Sequence, residues 1–309
     1  MIKPKALKKG DTIGLIAPSS PTDKIENIEK SIKILKEQGF NAAVGESCYQ
    51  RYGYLSGSDA VRANDMNKMF KDKNINAVFC LRGGYGTPRI LDLLDYEAIK
   101  NNPKLFIGYS DITALHVALS NNCNMVTFHG PMTTSDMIDD FDDFSKQCYM
   151  KAITSTEPLG YIKNPDGADI KSLVKGKAKG KIIGGNLALL TAAIGTPYEV
   201  DTKGKLFFIE EVEEFTYRVD RMLTQLKLAG KFDDCTGIIL GDFTDCNLQN
   251  PDDLTLSQVF NDIIVPANKP TIYNLKAGHC EEKVTIPFGV DAELDADNCT
   301  LNITEAALI

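Results

Sequence analysis

The sequence predicts an α/β fold: an N-terminal parallel-sheet α/β domain carrying a candidate nucleophile, followed by a C-terminal mixed β/α domain. Two observations carry that expectation. Through the first half, strand-length apolar runs alternate with helical stripes across short turns, the pattern of repeated β–α units. A polar stretch rich in Gly, Pro and Lys then precedes a second half with more antiparallel character. At 309 residues the chain has room for two domains, each with its own core. The boundaries read as 1–155 for the N-terminal domain, 156–179 for an interdomain linker and 180–309 for the C-terminal domain.

The elements follow in order. Residues 12–17 are a β-branched apolar run ending in Pro18-Ser19-Ser20-Pro21, which cannot continue a central strand. Asp23 can cap a helix through residue 36, with Ile25, Ile28, Ile32 and Leu35 on its stripe. A short strand over 41–44 comes next, and Ser58 can cap a helix that places Met66, Met69 and Phe70 inward. Residues 75–80 form a buried-type strand that runs into Arg82-Gly83-Gly84-Tyr85-Gly86, followed by a helix over 88–94. The apolar run Leu105-Phe106-Ile107-Gly108 turns sharply through Tyr109 and Ser110 into a helix over 112–119. Residues 133–152 read as helical. Beyond Gly180, strands are expected at 206–210, 237–240, 271–275, 283–286 and 299–303, and helices over 187–194, 218–228 and 257–265.

Composition excludes several classes of function. A net charge of −8 and a pI near 5.1 argue against a nucleic-acid partner, since no basic face could dominate. No run approaches the roughly 18–20 apolar residues of a membrane helix. The residues from Met1 to Gly10 carry charge with no apolar segment behind them, so a cytoplasmic protein without a membrane partner is expected. The eight cysteines are scattered with no C-x-x-C pair, as reduced thiols would be. Cys280 follows His279, but nothing nearby would depress its pKa. There is no H-E-x-x-H, and the pairs Asp139-Asp140 and Asp142-Asp143 read as a solvated helix face. No metal or cofactor is expected.

The strand–turn–helix around Ser110 is the chemically informative feature. A tight turn projects a hydroxyl out of the backbone, and the helix N-terminus behind it offers N–H groups to a developing oxyanion. Ile112 stands where G-x-S-x-G would place its second glycine, and a serine in such a turn is commonly a helix cap. A nucleophilic serine needs a base and an acid to orient that base. The chain has three histidines. His116, six residues on, is rotated by about 240° from Ser110 on an ideal helix and points away. His129 and His279 both lie in turns after strands, and geometry alone does not choose between them. Glu210 closes an apolar strand, where a carboxylate needs a partner, whereas Glu213 and Glu214 read as a solvated loop. The Gly83-Gly84 loop suits close backbone approach to a ligand and has neither a phosphate-loop nor a dinucleotide signature.

Taken together and in order, these residues resemble the LD-carboxypeptidase family of serine peptidases, whose relatives include microcin immunity peptidases. The landmarks are the segment from Gly10 to Pro21, Arg82-Gly83-Gly84-Tyr85-Gly86, Gly108-Tyr109-Ser110-Asp111-Ile112-Thr113 and His129-Gly130-Pro131. Gly184-Gly185-Asn186-Leu187, Phe208-Ile209-Glu210-Glu211, the run from Tyr217 to Leu223 and Gly278-His279 continue the series. The resemblance covers nearly the whole chain. It implies a Ser110–Glu210–His279 triad, with the nucleophile on the N-terminal domain, the acid and base on the other, and a cleft between them. It also implies an oxyanion hole from the backbone N–H of Asp111 and Gly84, and a homodimer. Glu211 departs from the family, where an Asp is common at that position. The implied reaction removes the terminal D-alanine from a murein tetrapeptide, so the partner is a muropeptide. Arg82 is the candidate for the terminal carboxylate, with Gly83 and Tyr85 as substrate-binding neighbours. One alternative is cleavage of an aminoacyl-nucleotide conjugate, for which the resemblance implies an aromatic loop residue, often Trp; this chain has no Trp. The other is a non-catalytic peptide-binding protein, which would not need Ser110, Glu210 and His279 together.

Overall fold

Continuous apolar runs become strands in the first half because a parallel sheet covered on both faces needs no polar alternation. The computed structural model describes residues 1–139 and 141–309; Asp140, read above as part of a solvated helix face, lies outside the described residues. The chain forms two compact units, one comprising Met1–Glu157, Thr285–Gly289 and Ala307–Ile309, the other Pro158–Val284 and Val290–Ala306. In chain order the strands are β1 (Thr12–Ile16), β2 (Asn41–Val44), β3 (Ala77–Cys80), β4 (Leu105–Gly108), β5 (Thr127–His129), β6 (Gly160–Ile162) and β7 (Lys171–Val174). They continue as β8 (Lys177–Asn186), β9 (Leu206–Val212), β10 (Gly237–Thr244), β11 (Thr271–Tyr273), β12 (Ile286–Phe288), β13 (Asp291–Asp295) and β14 (Thr300–Ile303).

The first unit's sheet has the order β12-β5-β4-β3-β1-β2. Its strands are parallel except β12, which runs antiparallel to β5 with Ile286 opposite His129. Parallel strands gather their C-terminal ends at one pole, so the turns after β1, β3 and β4 converge there. The late strand expected at 283–286 is a correction: it is β12, and it belongs to this sheet rather than to the C-terminal one. Its Pro287 lacks an N–H, which an edge strand tolerates, and Ile286 and Phe288 are buried against the core.

Ser58 caps the helix Asp59–Lys71 by accepting from the Val61 N–H, as expected. Asp23 does not cap the helix Glu26–Glu37, which begins after Ile25 without a side-chain cap; Asp23 instead pairs with Arg82 at 2.9 Å. The helix expected over 133–152 is divided into a wide turn at Thr133–Met137 and a helix at Asp143–Thr154. Asp142 starts the latter by accepting from the Ser145 N–H at 2.7 Å, so it is a cap rather than part of a solvated face.

The second unit's sheet has the order β6-β14-β13-β8-β9-β10-β11-β7. The strands β8 to β11 are mutually parallel, and antiparallel pairs flank them. The segment 156–179 is not a linker: it carries β6 and β7, the two edges of this sheet, and the start of β8. Both edge strands are short, and the lysines in and beside them (Lys163, Lys171, Lys175) face water, which makes the segment read as loop. Among the described residues no helix is long and apolar enough to cross a membrane.

Candidate active site

Ser110 follows β4, whose residues are all buried, and is itself only partly covered. Its φ is +64°, in the left-handed region that costs a β-carbon residue about 1–3 kcal/mol. Such strain persists when the surroundings over-determine it. Tyr109 anchors one side through its hydroxyl, which donates to Asp136 Oδ1 at 2.9 Å, and through edge-to-face contact with His129. His116 lies behind the turn, fully buried, and donates from Nε2 to the Gly108 carbonyl at 2.9 Å. Burial pushes its pKa down to about 4, so it is a neutral structural donor.

Gly83 presses on the other side of the serine. A β-carbon at Gly83 would stand 2.8 Å from Ser110 Cβ and 3.0 Å from Oγ, so the loop after β3 touches the side chain only because it lacks one. Asp111 occupies the first turn of the following helix, where an N–H has no intrahelical acceptor. Arg82 has its guanidinium on Asp23 and on the Pro21 carbonyl. Tyr85 is 53% exposed and meets Tyr54 edge-to-face at 5.4 Å.

In the second unit, Glu210 and Glu211 end the buried part of β9, and strand alternation sends their side chains to opposite faces. Glu211 accepts from the Asn186 amide and the Ala188 N–H, both at 2.8 Å, and so caps the helix Leu187–Ala192. Burial raises its pKa to about 7 against those hydrogen bonds. Glu210 is wholly buried, and its Oε2 lies 2.7 Å from His279 Nδ1. Gly278 makes this approach possible, with a φ of +127° and a position where a β-carbon would stand 2.7 Å from Glu210 Oε2. Burial disfavours the imidazolium, but the hydrogen bond and charge of Glu210, with the charge of Glu211, outweigh it and raise the His279 pKa above 6.5. A carboxylate on Nδ1 fixes the tautomer that leaves Nε2 able to accept a proton.

His129 is buried among the rings of Tyr109, His116 and Phe288 in the first unit. The thiol of Cys280 is pushed up to about 12, by burial and then by the Asp242 charge, which is the opposite of activation. Among the described residues no group of three His, Cys, Asp or Glu side chains could hold a metal ion. Sequence reasoning missed Arg62, a fully buried arginine that donates to the Pro18 and Gly86 carbonyls. The available signal was its place four residues before Met66 on the apolar stripe.

A strained serine on one sheet and a buried carboxylate–imidazole pair on another are the parts of serine-hydrolase chemistry. Known proteins give that class a family. Residues 13–130 match the LD-carboxypeptidase N-terminal domain and residues 179–294 its C-terminal domain. The chain belongs to the LD-carboxypeptidase family and is an enzyme of the serine carboxypeptidase type. It is 41% identical to a probable murein peptide carboxypeptidase of Bacillus subtilis, over 99% of this chain and 97% of that one. The solved muramoyltetrapeptide carboxypeptidase from Oxalobacter formigenes superposes with a TM-score of 0.84 at 28% identity, over 95% of this chain and 99% of that one. A microcin self-immunity protein superposes with a TM-score of 0.90 at 27% identity, over the full length of both chains.

Proposed function

We propose that this enzyme removes the terminal D-alanine from murein tetrapeptides in the cytoplasm, acting as a homodimer through Ser110, His279 and Glu210. The 2.7 Å contact between Glu210 and His279 is the observation that supports the reading, because a base needs a carboxylate to orient it. Ser110 Oγ attacks the carbonyl of the scissile amide while His279 Nε2 takes its proton. The N–H groups of Asp111 and Gly84 hold the negative oxygen. His279 returns the proton to the departing amine of D-alanine, leaving an acyl-serine. Water, deprotonated by His279, then attacks the ester and regenerates the hydroxyl.

Arg82 suits the free carboxylate of the substrate. Its present partner Asp23 is exposed, and an exposed ion pair is worth about 0–1 kcal/mol, so a substrate carboxylate can replace it at small cost. The test is incubation with a disaccharide-tetrapeptide and mass spectrometry of the released amino acid. D-alanine release by the native chain and none by Ser110→Ala is expected; equal release by both would overturn the reading. Sedimentation velocity checks the dimer. A second reading, cleavage of an aminoacyl-nucleotide conjugate, draws on the likeness to the microcin self-immunity protein and on the exposed Tyr54–Tyr85 pair, which offers a ring surface in a chain without Trp. Faster turnover of such a conjugate than of the tetrapeptide would select it.

A further inference from the structure

Two buried charges of opposite sign lie at the pole of the first sheet that carries Ser110, and the scheme above uses neither side chain. The first is Arg62. It has no exposed surface, and its guanidinium donates to the Pro18 carbonyl in the loop after β1 and, at 2.8 Å, to the Gly86 carbonyl in the loop after β3. Asp59 balances its charge and is held in turn by the Arg89 guanidinium. The second is the carboxylate of Asp111, one residue beyond the nucleophile. Its Oδ2 accepts from the Ser19 hydroxyl at 2.6 Å and from the Thr87 N–H at 2.8 Å, and its own carbonyl accepts from the Thr87 hydroxyl.

Three βα turns are thereby joined: Pro18–Ser20 after β1, Gly83–Thr87 after β3, and Ser110–Asp111 after β4. Both charges hold the loop after β3 at Gly86 and Thr87, just beyond the Gly83–Gly84 segment that touches Ser110. Among the described residues, that segment has few bonds of its own. Ser20 donates its N–H to the Gly83 carbonyl at 3.4 Å and accepts from the Tyr85 N–H at 3.1 Å. We propose that Arg62 and the Asp111 carboxylate, with Ser19 and Thr87, are positioning residues that pin the Gly86–Thr87 end of the Gly83–Gly84 loop, and the Pro18–Ser20 turn it bonds to, beside Ser110. All four side chains are buried, so they act through the loop. An oxyanion donor misplaced by about 1 Å can cost on the order of 100-fold in rate, so a loop with so few bonds needs such an external frame. Buried charges suit the task because a charge-assisted hydrogen bond in a dry site is costly to rearrange. The inference rests on Ser110 being the nucleophile.

The experiment reads the second-order rate of labelling by a fluorophosphonate, with the labelled peptide located by mass spectrometry, alongside kcat and KM for a tetrapeptide and the thermal midpoint. Arg62→Met and Asp111→Ala are expected to slow labelling and lower kcat by about 10- to 100-fold with KM within about twofold. Arg62→Lys and Asp111→Asn, which keep a donor and an acceptor, recover part of the loss. Ser19→Ala removes a single hydroxyl, keeps the fold testable if the larger changes do not, and slows labelling by about fivefold. Combining Ser19→Ala with Asp111→Ala adds nothing to Asp111→Ala alone, because both cut one interaction. Labelling at Ser110 in the native chain with unchanged rates in folded variants overturns the positioning role alone, as does a loss confined to KM. A native chain unlabelled at Ser110 overturns the nucleophile assignment itself.

Discussion

The turn at Ser110 and the corner at Glu210–His279 solve one problem in opposite ways. Each brings a reactive side chain out of a buried strand end, and each needs backbone in the left-handed region. At the first, the reactive residue bears the strain itself, a serine with φ of +64°. At the second, Gly278 takes the unusual conformation at φ +127° and relieves the histidine that follows it. A strained serine must be held by its surroundings, and the buried charges of Arg62 and Asp111 answer that need. A glycine-delivered histidine requires only a missing β-carbon and one carboxylate. The difference teaches where each half is fragile: the first in its supporting loops, the second at single atoms.

Substitutions break or sharpen that contrast in a definite order. Ser110→Ala removes the oxygen proposed to attack and should lower kcat by about 10⁴-fold or more, read by D-alanine release. Glu210→Gln leaves the shape but loses the charge on Nδ1, with an expected fall in kcat of about 10³- to 10⁴-fold. Glu211→Gln next door is the control. It should keep most of the activity and shift the thermal midpoint, since Glu211 serves the helix cap at Ala188. If both glutamines were equally harmful to kcat, the division of labour along β9 would be wrong.

Gly278→Ala and Gly83→Ala compare the two halves directly, each placing a β-carbon under 3 Å from a reactive residue. A loss of about 100-fold is expected at both. It should appear in the pH profile for Gly278, which touches Glu210, and in the pH-independent plateau for Gly83. Because His279 must be neutral to act as a base and its pKa is raised, the acid limb of kcat/KM should lie above pH 6.5. Glu210→Gln should move whatever limb remains to lower pH.

The smallest effect is on stability. The pKa of Glu211 rises from 4.5 unfolded to about 7 folded, so the folded state holds more protons between those values. Stability should therefore fall as pH rises from 4.5 to 7, with His279 adding a loss of the same sign above 6.5. A Glu211→Gln variant whose unfolding midpoint followed pH as steeply as the parent would contradict this.

Much of the first half was legible because its signals are local. The run Leu105-Phe106-Ile107-Gly108 and the apolar helix after it fix a strand–turn–helix whatever surrounds them, and Ser58 capped where expected. The misreadings fell where partners are distant in sequence. Asp23 had the chemistry of a cap but found Arg82, and the lysine-bearing 156–179 resembled a linker because sheet edges face water. Arg62 was hidden because an arginine on an apolar stripe is recognised only from the carbonyls that meet it.

By itself the sequence determined the two-part α/β architecture, the turn that presents Ser110 and the glutamate at the end of a buried strand, all products of short-range pattern and steric rule. Residue pattern left His129 and His279 level until the family resemblance implied His279; the tertiary structure adds the physical contact, a carboxylate 2.7 Å from His279 Nδ1. It also shows that this carboxylate is the Glu210 implied by the resemblance, while Glu211 turns to Asn186 and Ala188, and that Arg62 and Asp111 are buried among the turns near the serine. Those contacts depend on which groups share a desolvated space, and burial sets the cost of a wrong pairing after the chain has packed.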